Sequence, residues 1–207
     1  MNENPQLKKA YGTPLVLETS DGTRVISPAA DWMYVYDAAT GKELSKTAYG
    51  VLGFSIVPRP VYANGTVYMS TSFMRPEIFA FKYDGSQSPE LSWRFAKQAP
   101  STSSPLVVGD ELYLVSDKGI ATCLNAKTGD VHWTERLEGN YSASPLFADD
   151  KIMFCSREGK TTVIEPGKEF HPVSINALSG TFMASPVAVG DALLLRTDKA
   201  LYRIGKK

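Results

Sequence analysis

The chain has 207 residues, 43% of them apolar, and Lys plus Arg equal Asp plus Glu at 22 each, so no global field draws it onto phosphate backbones or anionic lipid. Its 16 Gly and 13 Pro are spread along the chain, which excludes collagen-like and disordered classes and suits short strands joined by tight turns. No apolar run approaches the roughly 20 residues a membrane helix needs, and the start Met1-Asn2-Glu3-Asn4-Pro5 lacks a signal peptide's apolar segment.

In chain order, a proline opens an apolar run at Pro14, Pro60, Pro105, Pro145 and Pro186, at spacings of 46, 45, 40 and 41 residues. Recurrence at such a period marks a repeat architecture. The last three copies agree closely: Ser104-Pro105-Leu106-Val107-Val108-Gly109-Asp110, Ser144-Pro145-Leu146-Phe147-Ala148-Asp149-Asp150 and Ser185-Pro186-Val187-Ala188-Val189-Gly190-Asp191. Within the third copy the pattern predicts four strands, Pro105 to Val108, Glu111 to Ser116, Ile120 to Asn125 and Val131 to Arg136. Gly109-Asp110, Asp117-Lys118-Gly119 and Lys127-Thr128-Gly129-Asp130 supply the turns. Trp32, after the turn-like Ala29-Ala30-Asp31, is expected to begin a strand of the first copy.

A single four-stranded sheet of this kind cannot bury both faces alone, so the copies must stack around an axis. The expected fold is therefore all-β, a β-propeller of four-stranded antiparallel blades. About five are expected, near 11-50, 51-98, 99-139, 140-180 and 181-207, the last lacking its outer strand because Ile204 almost reaches the end. Two closures are open. Asn4 to Ala10 could supply the missing strand of a five-bladed ring, or the chain could be the C-terminal part of a larger propeller. The weak strand pattern of Leu7-Lys8-Lys9-Ala10 favours the second.

The runs Tyr36-Asp37-Ala38-Ala39-Thr40-Gly41-Lys42-Glu43 and Cys123-Leu124-Asn125-Ala126-Lys127-Thr128-Gly129-Asp130-Val131-His132-Trp133 each hold a strand and an Asp/Asn-Ala-x-Thr-Gly turn, the second ending on a docking tryptophan. They resemble the PQQ-like repeat propellers, the superfamily of the quinoprotein dehydrogenases and the BamB-like outer-membrane assembly proteins. The ending Arg196-Thr197-Asp198-Lys199-Ala200-Leu201-Tyr202-Arg203-Ile204-Gly205 is similar to the close of BamB-like propellers. Two departures stand out: Ser45 takes the place of the docking tryptophan in the first copy, and Glu165-Pro166-Gly167-Lys168 replaces the Thr-Gly turn in the fourth. The third blade is accordingly expected to be the most regular.

For a quinoprotein dehydrogenase the resemblance would imply a bound quinone (PQQ), a Ca²⁺ held by carboxylate and amide oxygens, an Asp base and often two adjacent cysteines. The two cysteines, Cys123 and Cys155, are far apart in sequence and are expected to be buried and unreactive. Asp110, Asp149, Asp150 and Asp191 occupy repeated turn positions, where a carboxylate accepts backbone hydrogen bonds. His132 and His171 have no second ligand or nucleophile nearby in sequence and are assigned to the surface or rim. Ser103, Ser104, Ser142, Ser144 and Ser185 recur at one place in each copy, which marks them as structural openers of the inner strand. No catalytic, cofactor or metal residues are assigned; PQQ and Ca²⁺ belong only to the alternative of a dehydrogenase fragment completed by missing blades.

If strands alternate in direction, the connection into each inner strand and the connection between strands two and three share one face. That face is the candidate for binding a protein or polymer partner, and it would carry Tyr49, Phe54, Arg59, Phe73, Arg75, Glu77, Lys118, Tyr141, Arg157, Glu158, Phe182 and Lys199. Ordinary solvated loops are the plain alternative reading of the same residues. Trp93, Trp133 and the tyrosines could form a carbohydrate or peptide platform, and packing between blades is the role assigned to the two tryptophans. Neither nucleic acid nor a membrane span is expected, and a homodimer or pairing with missing blades is left open. The resemblance implies a noncatalytic binding or scaffolding module in the periplasm or cell envelope.

Overall fold

The computed structural model describes residues 8–50 and 53–205, and among these no helix occurs. The chain divides into two compact units, Met1–Ser101 and Thr102–Lys207.

In unit 1, β1 (Leu15–Thr19), β2 (Gly22–Pro28), β3 (Trp32–Asp37) and β4 (Glu43–Ala48) form the first antiparallel sheet in chain order. The short β5 (Gly53–Phe54) follows. A second four-stranded sheet then comprises β6 (Val61–Ala63), β7 (Thr66–Ser70), β9 (Ile78–Lys82) and β10 (Glu90–Phe95), with β8 (Phe73–Met74) leaving it between β7 and β9 to pair with β5. Alternation along β2 and β3 sends Ile26, Met33 and Val35 to one face, where with Leu15 they pack against Val67, Met69, Phe79 and Phe81 of the second sheet. That shared apolar layer is what one sheet could not bury alone. The segment before β1 bonds within the same unit: the N–H groups of Tyr11 and Gly12 both donate to the Ile56 carbonyl at 2.7 Å, and Ala10 pairs in parallel with Ile56. Of the alternative closing strand, Asn4 to Leu7 lies outside the described residues.

In unit 2, β11 (Leu106–Val108), β12 (Glu111–Val115), β13 (Ile120–Asn125) and β14 (Val131–Arg136) form the third sheet. The fourth holds β15 (Leu146–Ala148), β16 (Lys151–Cys155), β17 (Lys160–Glu165) and β18 (His171–Ala177). The fifth has three strands among the described residues, β19 (Val187–Val189), β20 (Ala192–Arg196) and β21 (Leu201–Gly205). Tyr113, Val115, Ala121 and Cys123 of the third sheet pack on Ile152, Phe154 and Ile164 of the fourth. Trp133 completes that layer as a docking residue. Its Nε1–H donates to the Gly167 carbonyl at 3.1 Å, the Gly167 N–H donates to the Tyr113 hydroxyl at 2.7 Å, and its ring meets Phe170 edge-on at 5.1 Å. The turn that departs from the repeat pattern is thus the one that receives the tryptophan.

The recurring turns close as their residue types require. Asp37 Oδ1 accepts from the Thr40 N–H at 2.8 Å and the Thr40 hydroxyl at 2.6 Å, and Asn125 Oδ1 accepts from the N–H groups of Lys127 and Thr128, both at 3.0 Å. Gly159 must be glycine: its φ is +84°, and a Cβ there would lie 2.3 Å from the Leu178 carbonyl oxygen.

Candidate functional site

The turns between strands two and three meet the lead-ins to the following sheets, or in the fifth sheet its own lead-in, through main-chain bonds. In unit 2 the Tyr141 N–H donates to the Asp117 carbonyl, the Phe182 N–H to the Arg157 carbonyl and the Asp198 N–H to the Thr181 carbonyl, each at 3.1 Å. This stitches Lys118, Tyr141, Arg157, Glu158, Phe182 and Lys199 into adjacent loops. Side chains reinforce it. Arg157 donates through Nε to the Ser142 hydroxyl at 2.8 Å, and Glu158 accepts from the Asn140 N–H at 3.0 Å and from its side-chain amide at 2.9 Å. The Asn140 side-chain bond is the leading reason the Glu158 carboxyl is held below its usual range. Lys118 and Lys199 are exposed, and Lys118 offers its carbonyl to Arg136 at 3.0 Å.

In unit 1 the pairing of β5 with β8 sets Phe54 opposite Phe73, ring centroids 5.2 Å apart. Phe73 is 58% exposed and its neighbour Met74 73%, although both are apolar. Met74 adopts a φ of +83°, a left-handed conformation that an unbranched non-glycine side chain enters only at a cost. Arg59 and Arg75 are exposed alongside in sequence. Arg75 Nε stands 2.8 Å from Glu77 Oε1, an ion pair without hydrogen-bond direction, in which the arginine is solvated and the carboxylate is not.

Four of the expected face residues are interior side chains, which corrects that part of the expectation. Tyr49 is buried against Phe79 with its hydroxyl donating to the Ala29 carbonyl, and Glu77, Tyr141 and Phe182 are each at most 1% exposed. Tyr141 gives its hydroxyl hydrogen to the Glu138 carbonyl at 3.1 Å, and burial pushes its acidity constant up to about 12. Aromatic residues in loops look like binding residues in a sequence, but here the loops fold over the sheet ends and use these rings as plugs. Conversely, sequence reasoning passed over Met74 and Asn140 and took Ser142 only as a structural opener of the inner strand. Met74 had no signal; Asn140 and Ser142 precede the fourth copy's proline by five and three residues, as Pro100 and Thr102 precede the third's.

Cys123 and Cys155 are buried in separate sheets, and burial pushes the Cys123 thiol up to about 12. His171 lies at the surface 3.4 Å from Glu169, whereas Nε2 of the half-buried His132 is shielded and makes no hydrogen bond among the described residues. No group of three or more His, Cys, Asp or Glu converges to hold a metal ion among the described residues. Cys123 and Cys155, set in separate sheets, do not form the adjacent pair that would stack on a quinone.

Residues 29–182 match the family described as outer membrane protein assembly factor BamB. The chain belongs to this family. Its fold is that of a solved BamB from Moraxella catarrhalis, with a TM-score of 0.66 and 16% identity over 92% of this chain and 57% of that one. The fold class is thus an all-β propeller of four-stranded antiparallel blades, about five in number. A europium-containing methanol dehydrogenase shares the fold more distantly, with a TM-score of 0.50 and 13% identity over 58% of this chain and 24% of that one. Among curated proteins, the polyvinylalcohol dehydrogenase of Sphingopyxis sp. (strain 113P3) is 37% identical over 59 residues, 28% of this chain and 9% of its own length. This BamB-family chain spans little more than half of the solved BamB and a small part of that dehydrogenase. No helix among the described residues is long and apolar enough to cross a membrane.

Proposed function

We propose that the chain is a noncatalytic propeller module of the cell envelope, part of a larger propeller, that binds a protein partner through the face carrying the turns between strands two and three. One observation carries the reading: the β5–β8 pair projects Phe54, Phe73 and Met74 from unit 1, with Phe73 and Met74 exposed by 58% and 73% and the exposed Arg75 next in sequence. Apolar anchors rimmed by arginine are what partner surfaces use, because burying a ring and a thioether releases water while the guanidinium sets orientation. Family membership supports the envelope placement and a protein as partner. A photo-crosslinking residue at position 73 tests it, with one at the exposed Phe147 as control. In envelope extracts position 73 should give one dominant product, which Met74→Asp abolishes. The same products from both positions, or none, would sink the reading.

A second reading rests on the match to polyvinylalcohol dehydrogenase, and it makes the chain a fragment of a PQQ-dependent alcohol or sugar dehydrogenase completed by other blades. Purified protein that reduced an artificial dye with an alcohol, only after quinone and Ca²⁺ were added, would favour it.

A further inference from the structure

The connection between β7 and β9 is a loop closed at its base. The Thr71 N–H donates to the Glu77 carbonyl at 2.9 Å, and the Glu77 N–H donates to Thr71 Oγ1 at 2.8 Å. The Thr71 hydroxyl in turn donates to the Arg75 carbonyl at 2.8 Å. Pairing of β8 with β5 ties down the crown, with Phe54 opposite Phe73 and Gly53 opposite Met74. Phe73, Met74 and Arg75 are nonetheless exposed, and Met74 holds its φ of +83°, a strained conformation that persists where neighbouring bonds fix it. A loop fixed in this way loses little freedom when something binds it.

The same loop sets a carboxylate and a guanidinium in unequal surroundings. The Glu77 side chain is 1% exposed and neither of its oxygens has a hydrogen-bond partner, whereas the Arg75 side chain is 64% exposed. The two are held together by charge, and none of the Arg75 side-chain N–H groups makes a hydrogen bond among the described residues. Taking a carboxylate out of water beside a solvated partner is costly, so the pair is a poor source of stability. What it supplies is position. The buried negative charge keeps the guanidinium beside two exposed apolar side chains with its planar fork of donors unused, and two N–H groups of such a fork match the two oxygens of a carboxylate.

We infer that Arg75 takes the side-chain carboxylate of an Asp or Glu in an extended partner segment, and that the apolar residue next to that acid lies against Phe73 and Met74. This rests on the partner surface proposed above and gives that partner its chemistry. A carboxylate fits because the exposed run from Phe73 to Arg75 carries one cation, while the loop's anion, Glu77, is withdrawn into the interior. An apolar neighbour fits because Met74 and Phe73, the latter buttressed by the Phe54 ring at 5.2 Å, offer contact area that an acid alone leaves bare.

Amide NMR titrations of the full chain test this with two pentapeptides, Ser-Leu-Asp-Phe-Ser and Ser-Leu-Asn-Phe-Ser, acetylated and amidated so that the Asp side chain is the sole carboxylate. The first should move the Phe73 and Met74 signals and bind about ten-fold more tightly than the second. Arg75→Gln alone would strand the buried Glu77 carboxylate, so it is combined with Glu77→Gln, and this double variant should bind both peptides equally. Arg75→Lys, which keeps the charge without the fork, should lose most of the preference, and Phe73→Ser should weaken both peptides alike. Equal binding of the two peptides by the wild type, an undiminished preference in either Arg75 variant, or binding untouched by Phe73→Ser would overturn the inference. So would a wild type that binds neither peptide yet pellets with phosphatidylglycerol vesicles, which would assign the patch to a lipid surface. The partner reading fails separately: a missing crosslink at position 73 with the peptide preference intact sinks only that reading, and a crosslink untouched by the double variant sinks only the carboxylate contact.

Discussion

The third and fifth sheets are copies of one repeat with opposite fates. Ala121 is fully buried, whereas its counterpart Leu201 is 70% exposed. The strands pair in the same registers, so local hydrogen bonding does not make the difference. What differs is the neighbour: the fourth sheet packs on this face of the third, and among the described residues of unit 2 no sheet packs on the matching face of the fifth. In a repeat fold a strand's apolar residues are therefore worth only what the adjacent sheet hides, and stability belongs to the steps between sheets.

The largest test of that contrast truncates one residue on each side of it. Phe154→Ala, in the covered layer between the third and fourth sheets, should cost about 3–5 kcal/mol in urea unfolding, whereas Val189→Ala, 53% exposed, should change stability by less than about 0.5 kcal/mol. Equal losses would mean that Val189 is covered in solution. A sharper version uses turn glycines. Gly159→Ala must move the Leu178 carbonyl and strain a φ of +84°, an expected loss of roughly 2–4 kcal/mol, while Gly190→Ala meets nothing within 4 Å and should cost about 1 kcal/mol from its φ of +57° alone. Thermal melts of the pair would separate close approach from backbone strain.

The smallest expected effect concerns the recurring turn, where the first sheet uses Asp37 and the third Asn125 for the same job. The Thr40 side-chain hydrogen bond leads the causes that hold the Asp37 carboxyl below its usual range, with the Thr40 N–H second. A depressed folded-state value adds stability that is present above the ordinary carboxylate value near 4 and is lost as pH falls through the folded one. Asp37→Asn keeps the acceptor oxygen, as Asn125 does, and removes the titration. Its melting temperature should lie below wild type at pH 7, where the charge and its pairing with Arg24 at 3.4 Å are lost, and should fall less between pH 4 and pH 2; parallel acid limbs would show that the turn contributes nothing to acid sensitivity.

Legibility followed the same division. The proline spacing and the Asp/Asn-Ala-x-Thr-Gly turns located strands to within a residue or two in the third copy, because turn chemistry and alternation act over a few residues and are written there. The candidate face was legible only as a set of loops. That Phe73 and Met74 point out while Tyr49, Tyr141 and Phe182 point in depends on how each loop folds over a sheet end, and an aromatic residue in a loop looks alike in both cases.

Amino-acid order alone determined the repeat, the strand-turn rhythm and the family, since each rests on contacts between residues close along the chain. Tertiary structure alone decided which of the equivalent apolar positions are hidden and that Gly167 receives the docking tryptophan. Burial is a property of the neighbour brought across space, and no stretch of a repeat carries the identity of the sheet that will cover it.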